Sequence, residues 1–216
     1  MSKISRRRGT LREANPAYQE KRRELVRLAS TVFKEKGYDA TTLNDIAERF
    51  GTDRAQLYYY VSGKEELFQE AVAGVMDGNL ADALEIRQMD IDPAAKLHLL
   101  AKGLMRSYQE NYPQMYVYLQ EFYHKVADNP SEWSQGIARQ TGRYQKIVTE
   151  VVIAAVREGR FRGDITPPLA VNALFGMLNW TSVWFQPGRH HSADEVAEAF
   201  ASIFCSGMAA PNSSSS

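Results

Sequence analysis

The sequence predicts an all-α protein, on three observations. Apolar residues recur at helical spacing through most of the 216 residues. No stretch alternates apolar and polar residues over the several positions that a half-buried strand requires. Glycine and proline stand mainly where the periodic stretches stop, as they do at helix ends.

The chain is long enough for one small and one larger domain. We expect a flexible basic arm over residues 1–15, a three-helix domain over 16–66, a larger helical domain over 67–210 and a disordered tail over 211–216. A hydrophobic fraction of 44% with 24% charged residues is typical of a globular protein, and no apolar run approaches the roughly 18 residues of a membrane span. The single cysteine, Cys205, excludes an intramolecular disulfide framework, so we expect a cytoplasmic protein.

Charge is unevenly distributed although the formal net charge is zero. Residues 1–68 carry 14 Lys and Arg against 10 Asp and Glu, whereas residues 69–216 carry 12 against 16. This asymmetry indicates a phosphate-facing head on an acidic body. Arg6, Arg7 and Arg8 form the strongest basic cluster, which either follows DNA as a mobile arm or is a solvated tail.

The first predicted helix covers residues 16–36, with Pro16 in its first turn and Gly37 at its end. Its apolar stripe consists of Leu25, Leu28, Ala29, Val32 and Phe33. We expect this stripe to pack against the two short helices that follow.

Residues 42–64 predict two short helices joined by a tight turn. Thr42 is placed to cap the first helix, and Asp53 to cap the second. Gly51 ends the first helix, because only glycine adopts a left-handed turn without a Cβ penalty. Ala47 and Leu57 supply the small and the filling residue at the helix crossing. The pattern predicts a helix-turn-helix.

The second of these helices, expected over residues 54–60, carries side chains long enough to reach base edges or phosphates in a major groove. Candidate DNA-binding residues are Thr42, Asn44, Arg54, Ala55, Gln56, Tyr58, Tyr59, Tyr60 and Lys64. Lys64 begins a fourth helix, expected to about residue 86, where a cation opposes the helix dipole and therefore predicts an external anion. A short solvated helix pair with no DNA partner is the alternative that this pattern alone leaves open.

From about residue 25 to 67 the sequence resembles the N-terminal domain of tetracycline-repressor (TetR) family regulators. The shared sequence motifs are Ala40-Thr41-Thr42, Ile46-Ala47, Gly51, Leu57-Tyr58-Tyr59-Tyr60 and Lys64-Glu65-Glu66-Leu67, together with Ala29, Phe33 and Gly37. The chain departs from the family pattern at Thr52, Tyr60 and Val61, which leaves its base preference unreadable by analogy. The resemblance implies that the anion at Lys64 is a DNA phosphate.

Helical periodicity returns after a short connection at residues 88–93. Further helices are expected over residues 94–112, 115–126, 133–161, 169–185 and 192–208. The stretch 169–185 is apolar nearly all round, so it must be buried on more than one side.

Aromatic residues and methionines concentrate in residues 105–123 and 175–185. They either line an apolar cavity with a few polar handles or pack as an ordinary core. The candidate ligand-binding residues are Met105, Tyr108, Met115, Tyr118, Phe122, Tyr123, Met177, Trp180 and Trp184.

The TetR resemblance implies a small-molecule effector among the middle helices, and a homodimer formed through helices at about residues 141–160 and 169–185. Residues 179–188, with Trp180, Trp184 and Pro187-Gly188, are also similar to an ending found in regulators of fatty-acid and sterol breakdown. That likeness implies an acyl-CoA thioester as effector.

No catalytic motif, metal site or cofactor is predicted. Gly-x-Ser-x-Gly is absent from the sequence, and Ser62-Gly63-Lys64 lacks the upstream glycine of a phosphate loop. His190-His191 are adjacent in a predicted loop, where two rings cannot easily face one ion. We therefore expect a homodimeric transcriptional repressor that a small molecule releases from a palindromic operator. A ligand-independent architectural DNA-binding protein is the alternative.

Overall fold

The computed structural model describes residues 15–112, 114–119 and 131–210. The basic cluster Arg6-Arg7-Arg8, the tail 211–216 and the candidate ligand residues Phe122 and Tyr123 lie outside the described residues. The predicted all-α fold is confirmed. In chain order the helices are α1 (Pro16–Lys36), α2 (Leu43–Phe50), α3 (Arg54–Leu57), α4 (Lys64–Gln88), α5 (Pro93–Glu110), α6 (Gln114–Val117), α7 (Glu132–Arg157), α8 (Pro167–Trp184) and α9 (Ala193–Met208).

The chain divides into two compact units, residues 1–72 and 73–216. The domain boundary predicted from the sequence lies between residues 66 and 67. That position is inside α4, which runs without interruption from Lys64 to Gln88. No helix within the described residues is both long and apolar enough to cross a membrane.

The first unit packs α1, α2, α3 and the start of α4 around one apolar core. Its central side chains are fully or almost fully buried: Leu25, Ala29, Phe33, Ile46, Ala47, Leu57, Leu67 and Phe68. The α1 stripe predicted from the sequence supplies the first three of these. The Phe33 and Phe68 rings meet edge to face with centroids 5.9 Å apart, which joins α1 to α4.

In the second unit, α5 packs against both α7 and α9, and α8 packs against α7 and α9. Buried residues from these helices form the core, among them Leu97, Leu100, Met105, Ile137, Val148, Val152, Leu174, Leu178, Ala197 and Phe204. The ends of α7 and α9 are tied by backbone hydrogen bonds, from Arg162 N to Met208 O at 2.8 Å and from Ala210 N to Arg160 O at 2.9 Å. The larger unit therefore has a core of its own.

Most helix ends agree with the sequence prediction within a few residues. Asn15 caps α1 and Asp92 caps α5, each by accepting a hydrogen bond from a backbone N–H two residues on. Two helices end earlier than expected, and the helix predicted over residues 115–126 lies partly outside the described residues. α3 ends at Leu57, after which hydrogen-bonded turns continue to Val61. α7 ends at Arg157 because Gly159 adopts a left-handed φ of 71°.

Candidate nucleic-acid interface and effector cavity

The turn between α2 and α3 is built from local hydrogen bonds. Thr42 Oγ1 accepts from Asp45 N at 3.2 Å, while Asp45 Oδ2 accepts from Thr42 N at 2.8 Å, so α2 begins with a reciprocal capping box. Gly51 ends α2 with a left-handed φ of 73°. Asp53 Oδ1 then accepts from Gln56 N at 2.7 Å and caps α3. The predicted helix-turn-helix is therefore present.

The first turn of α3 faces outward. Arg54, Ala55 and Gln56 are all exposed. The Arg54 guanidinium donates to the Tyr58 hydroxyl at 2.9 Å, and the Gln56 side-chain oxygen accepts from the Thr52 hydroxyl. Because each partner lies four residues away, the two polar side chains are held on the surface by their own segment.

Three consecutive tyrosines follow and do not share one environment. Tyr58 and Tyr59 are 49% and 45% exposed. Tyr60 instead stacks on Tyr18 of α1 with ring centroids 5.3 Å apart, and it also meets Phe50 edge to face. The structure therefore keeps two tyrosines at the surface with Arg54 and Gln56, whereas Tyr60 packs against α1 and α2.

Lys64 is engaged inside the first unit. Its ammonium donates to the carbonyl oxygens of Tyr38, Asp39 and Thr41 at 2.8, 3.1 and 2.9 Å, and it lies 4.6 Å from the centre of the Tyr38 ring. An ammonium has three donors. All three are directed at backbone carbonyls. The carbonyls therefore take up every hydrogen-bond donor of the lysine that was expected to contact a DNA phosphate.

Sequence reasoning missed Arg22 of α1. Its guanidinium donates to Glu66 at 2.5 Å and to Glu70 at 2.9 Å, and it also donates to the carbonyl oxygen of Tyr60. Burial lowers the pKa of Arg22, but the hydrogen bonds that it donates to the two glutamates outweigh burial and raise the pKa overall. Arg22 thus ties the backbone at Tyr60, just after α3, to α1 and α4. Its partners are 38 to 48 residues away, so no local sequence pattern could have found it.

Asp45 extends the capping box into an ion pair. The Lys36 ammonium lies 2.6 Å from Asp45 Oδ1. Hydrogen bonds from the Lys36 side chain and then from the Thr42 hydroxyl and backbone lower the pKa of Asp45 well below its ordinary value. The charged carboxylate therefore links the end of α1 to the start of α2.

The second unit contains a partly open cavity of about 260 Å³. Helices α4 to α8 contribute to its wall, with two further residues, Tyr118 and Leu119, just after α6. The lining residues are Met76, Asn79, Leu104, Tyr108, Met115, Tyr118, Leu119, Gln140, Thr141, Tyr144, Gln145, Asn172, Phe175, Gly176 and Asn179. The mixture of apolar side chains with a few polar groups is typical of a small-molecule site.

Three of the predicted ligand residues line this cavity, namely Tyr108, Met115 and Tyr118. Met105 is fully buried, but its sulfur lies 3.8 Å from the Thr181 hydroxyl and it does not reach the wall. Met177, Trp180 and Trp184 also lie outside the wall. Trp180 is 64% exposed, and Trp184 is 41% exposed and meets Phe185 and Phe200 edge to face.

The carboxamides of the wall were missed by the sequence analysis. Asn79 comes from α4, Gln140 and Gln145 from α7, and Asn172 and Asn179 from α8. A search for aromatic clusters could not find them, because they are scattered over three helices and each resembles a surface residue in its own segment. Only the packing of the helices brings them together.

An exposed helix-turn-helix in one unit, and a lined cavity in a second helical unit of the same chain, define a DNA-binding transcriptional regulator. The comparisons identify the family. Residues 25–71 match the family described as bacterial regulatory proteins, tetR family, and residues 90–208 match the tetracyclin repressor-like C-terminal domain. The chain belongs to the TetR family.

Individual relatives agree with this assignment. The chain is 30% identical over 193 residues to the HTH-type transcriptional repressor KstR2 of Rhodococcus jostii strain RHA1, covering 89% of this chain and 93% of that protein. Among solved structures, the ketosteroid transcriptional regulator KstR2 of Mycobacterium tuberculosis is similar with a TM-score of 0.75 and 26% identity, over 88% of this chain and 95% of that one. The TetR family regulator PfmR from Thermus thermophilus is similar with a TM-score of 0.74 and 28% identity, over 84% of this chain and 97% of that one.

Proposed function

We propose that this protein is a homodimeric repressor that binds a palindromic operator and is released from it by a small molecule in the cavity of the second unit. The observation that carries the proposal is the outward-facing first turn of α3, where Arg54, Ala55 and Gln56 are exposed beside Tyr58 and Tyr59. In helix-turn-helix proteins this end of the recognition helix meets base edges.

The exposed side chains divide into two roles. Arg54 and Gln56 carry planar donor groups that pair with guanine and adenine edges in the major groove, so they read the sequence. Thr42, Asn44, Tyr58 and Tyr59 are exposed around them and contact the sugar-phosphate backbone. Tyr60 and Lys64 support this surface from within the unit and do not contact DNA.

The dimer surface follows from the exposed apolar residues of α8 and α9. Leu169, Trp180 and Val183 of α8 are 61%, 64% and 58% exposed, and Ile203 of α9 is 61% exposed. Large exposed apolar residues on neighbouring helices are typical of a subunit interface. On α7, by contrast, the exposed positions include the charged residues Arg143 and Lys146. We therefore assign a second copy of this chain to the α8–α9 face, in place of the pair at residues 141–160 and 169–185 implied by the family resemblance.

The effector class follows from the cavity wall. The motif at residues 179–188 implies an acyl-CoA thioester as effector. We place the acyl part of that molecule inside the cavity. Among the described lining residues no lysine or arginine is present to meet the phosphates of the coenzyme.

Helix α4 supplies Met76 and Asn79 to this wall and Glu66 and Glu70 to the Arg22 network. One helix therefore carries residues of both the cavity and the DNA-binding unit.

The test uses the full-length protein. Operator sequence is first selected from random double-stranded DNA, and binding of that DNA is then measured by fluorescence anisotropy with and without a panel of acyl-CoA thioesters. We expect a palindromic selected sequence and weaker binding when an effector is present. Strong binding that ignores sequence, and that no ligand changes, would favour the architectural alternative.

A further inference from the structure

Among the residues that the structure describes, the polar groups of the cavity wall are uncharged. Five carboxamides and the hydroxyls of Tyr108, Tyr118, Thr141 and Tyr144 supply its polar character, and its described lining residues include no Asp, Glu, Lys, Arg or His. Burial raises the pKa of Tyr144, so its hydroxyl stays neutral at physiological pH. Because burying an unpaired charge is costly, such a wall favours an uncharged occupant.

Asn179 is oriented by its neighbour. Its Oδ1 accepts a hydrogen bond from the Tyr108 hydroxyl at 2.7 Å. A carboxamide has one acceptor oxygen and one donor nitrogen. Since the oxygen is engaged by a phenol that donates to it, the group that Asn179 keeps available to a ligand is its N–H donor.

Gln140 is oriented in the opposite sense. Its Nε2 donates to the carboxylate of Asp77 on α4, which fixes which end of the amide is nitrogen. Its Oε1 is buried and has no hydrogen-bond partner among the residues that the structure describes. An unpaired buried acceptor is costly. Gln140 therefore offers an acceptor to a ligand at the α7 side of the cavity.

We infer that the part of the effector held in the cavity is uncharged, with an apolar body, a carbonyl-type acceptor for Asn179 and a hydroxyl or N–H donor for Gln140. This inference rests on the proposed function only in calling the occupant an effector. Asp77 supports the absence of charge on the ligand, because a carboxylate hydrogen-bonded to Gln140 disfavours an anionic ligand at the α7 side of the cavity. The apolar body packs among Leu104, Met115 and Phe175.

The test compares ligands of one skeleton by calorimetric titration of the full-length dimer without DNA. The probes are 2-decalone, 2-decalol and decahydronaphthalene-2-carboxylate. We expect both neutral bicycles to bind at least about tenfold more tightly than the carboxylate, the difference expected when a charge must be buried unpaired.

Two variants test the two orientations separately. Asn179→Asp keeps the acceptor for Tyr108 but removes the donor, so it should weaken 2-decalone about fivefold to tenfold and spare 2-decalol. Gln140→Met removes the acceptor and should weaken 2-decalol while sparing 2-decalone. Gln135→Met, an exposed position of α7 outside the cavity wall, is the matched control and should change neither.

Three results would overturn the inference: no binding of either neutral probe at millimolar concentration, binding of the carboxylate as tight as that of the ketone, or equal loss of both neutral probes in both folded variants. The wild-type series needs no variant, so a variant that fails to fold leaves the charge comparison in force. Selective probe binding that leaves operator affinity unchanged would instead count against effector-released repression and leave the cavity chemistry standing.

Discussion

The ammonium of Lys64 donates to the carbonyl oxygen of Thr41 at 2.9 Å, and Thr41 directly precedes the residue that caps α2. The same ammonium binds the carbonyls of Tyr38 and Asp39. The start of α4 therefore holds the segment that leads into the helix-turn-helix. We therefore expect Lys64 to act on DNA binding through the position of α2.

This relationship predicts the behaviour of Lys64→Met. Loss of a charged donor shared by three carbonyls should lower the free energy of unfolding by roughly 1–3 kcal/mol. Operator affinity should fall without a change in its salt dependence, because no phosphate contact is lost. Chemical denaturation and anisotropy titrations at several salt concentrations check both. If the salt slope falls by about one per subunit with stability unchanged, Lys64 is a phosphate contact after all.

Arg54→Ala and Gln56→Ala should each cost roughly 1–3 kcal/mol on the selected operator and relax base preference at one position per half-site. The reason is that both side chains are exposed on the first turn of α3 and end in planar donor groups. Parallel titrations of operator and scrambled DNA measure the effect. Arg49→Ala is the matched control, since Arg49 lies on α2 and is paired with Glu35 at 2.5 Å. Equal weakening on both DNAs by the α3 variants would show that this turn does not read bases.

Acid should remove the contribution of Asp45 to stability. Its pKa is lowered in the folded protein, chiefly by the Lys36 side chain. A lowered carboxyl pKa contributes stability that is present above the unfolded value of about 3.9 and is lost as the pH falls toward the folded value. The stability difference between wild type and Asp45→Asn should therefore be constant above about pH 5 and shrink below about pH 4.

Thermal unfolding of both proteins across that pH range measures this difference. Lys36→Met should remove part of the same pH dependence, because it deletes the partner that lies 2.6 Å from the carboxylate. Curves for wild type and Asp45→Asn that stay parallel down to about pH 3 would contradict the assignment.

Trp180→Glu should dissociate the dimer. Trp180 is 64% exposed on α8 and lies on the apolar face assigned to the second copy. A buried tryptophan at an interface is commonly worth about 2 kcal/mol or more, which corresponds to a rise of roughly 30-fold in the dimer dissociation constant. Sedimentation velocity over a concentration series measures it. Lys146→Glu on α7 is the control and should leave the dimer intact. A wild-type protein that is monomeric at micromolar concentration would remove the assigned interface altogether.

A related expectation concerns tryptophan fluorescence. The sequence placed Trp180 and Trp184 beside the effector, but both lie outside the cavity wall. Trp133 is the better reporter of ligand binding, because its ring centroid lies 6.4 Å from that of Tyr118, which lines the cavity. Ligand quenching that persists in Trp180→Phe and disappears in Trp133→Phe is the expected result.

Features that depend on neighbours a few residues away could be predicted from the amino-acid sequence. Thr42 caps α2 through Asp45, and Asp53 caps α3 through Gln56, each pair three residues apart. Gly51 supplies the left-handed turn between them. Helix ends of this kind are local chemistry, so the helix-turn-helix and the outward first turn of α3 could be predicted before any packing was known.

The partners of individual side chains depend instead on how the helices pack against one another. The carbonyls that hold Lys64 are 23 to 26 residues away in the chain, and local sequence contains no sign of them. Asn179 and Trp180 are adjacent, yet Asn179 lines the cavity and Trp180 lies at the surface. Successive residues of an α-helix point about 100° apart, so the rotation of α8 against its neighbours chooses between them. Packing sets that rotation. Because α8 is apolar on nearly every side, its own sequence does not indicate which side faces the cavity.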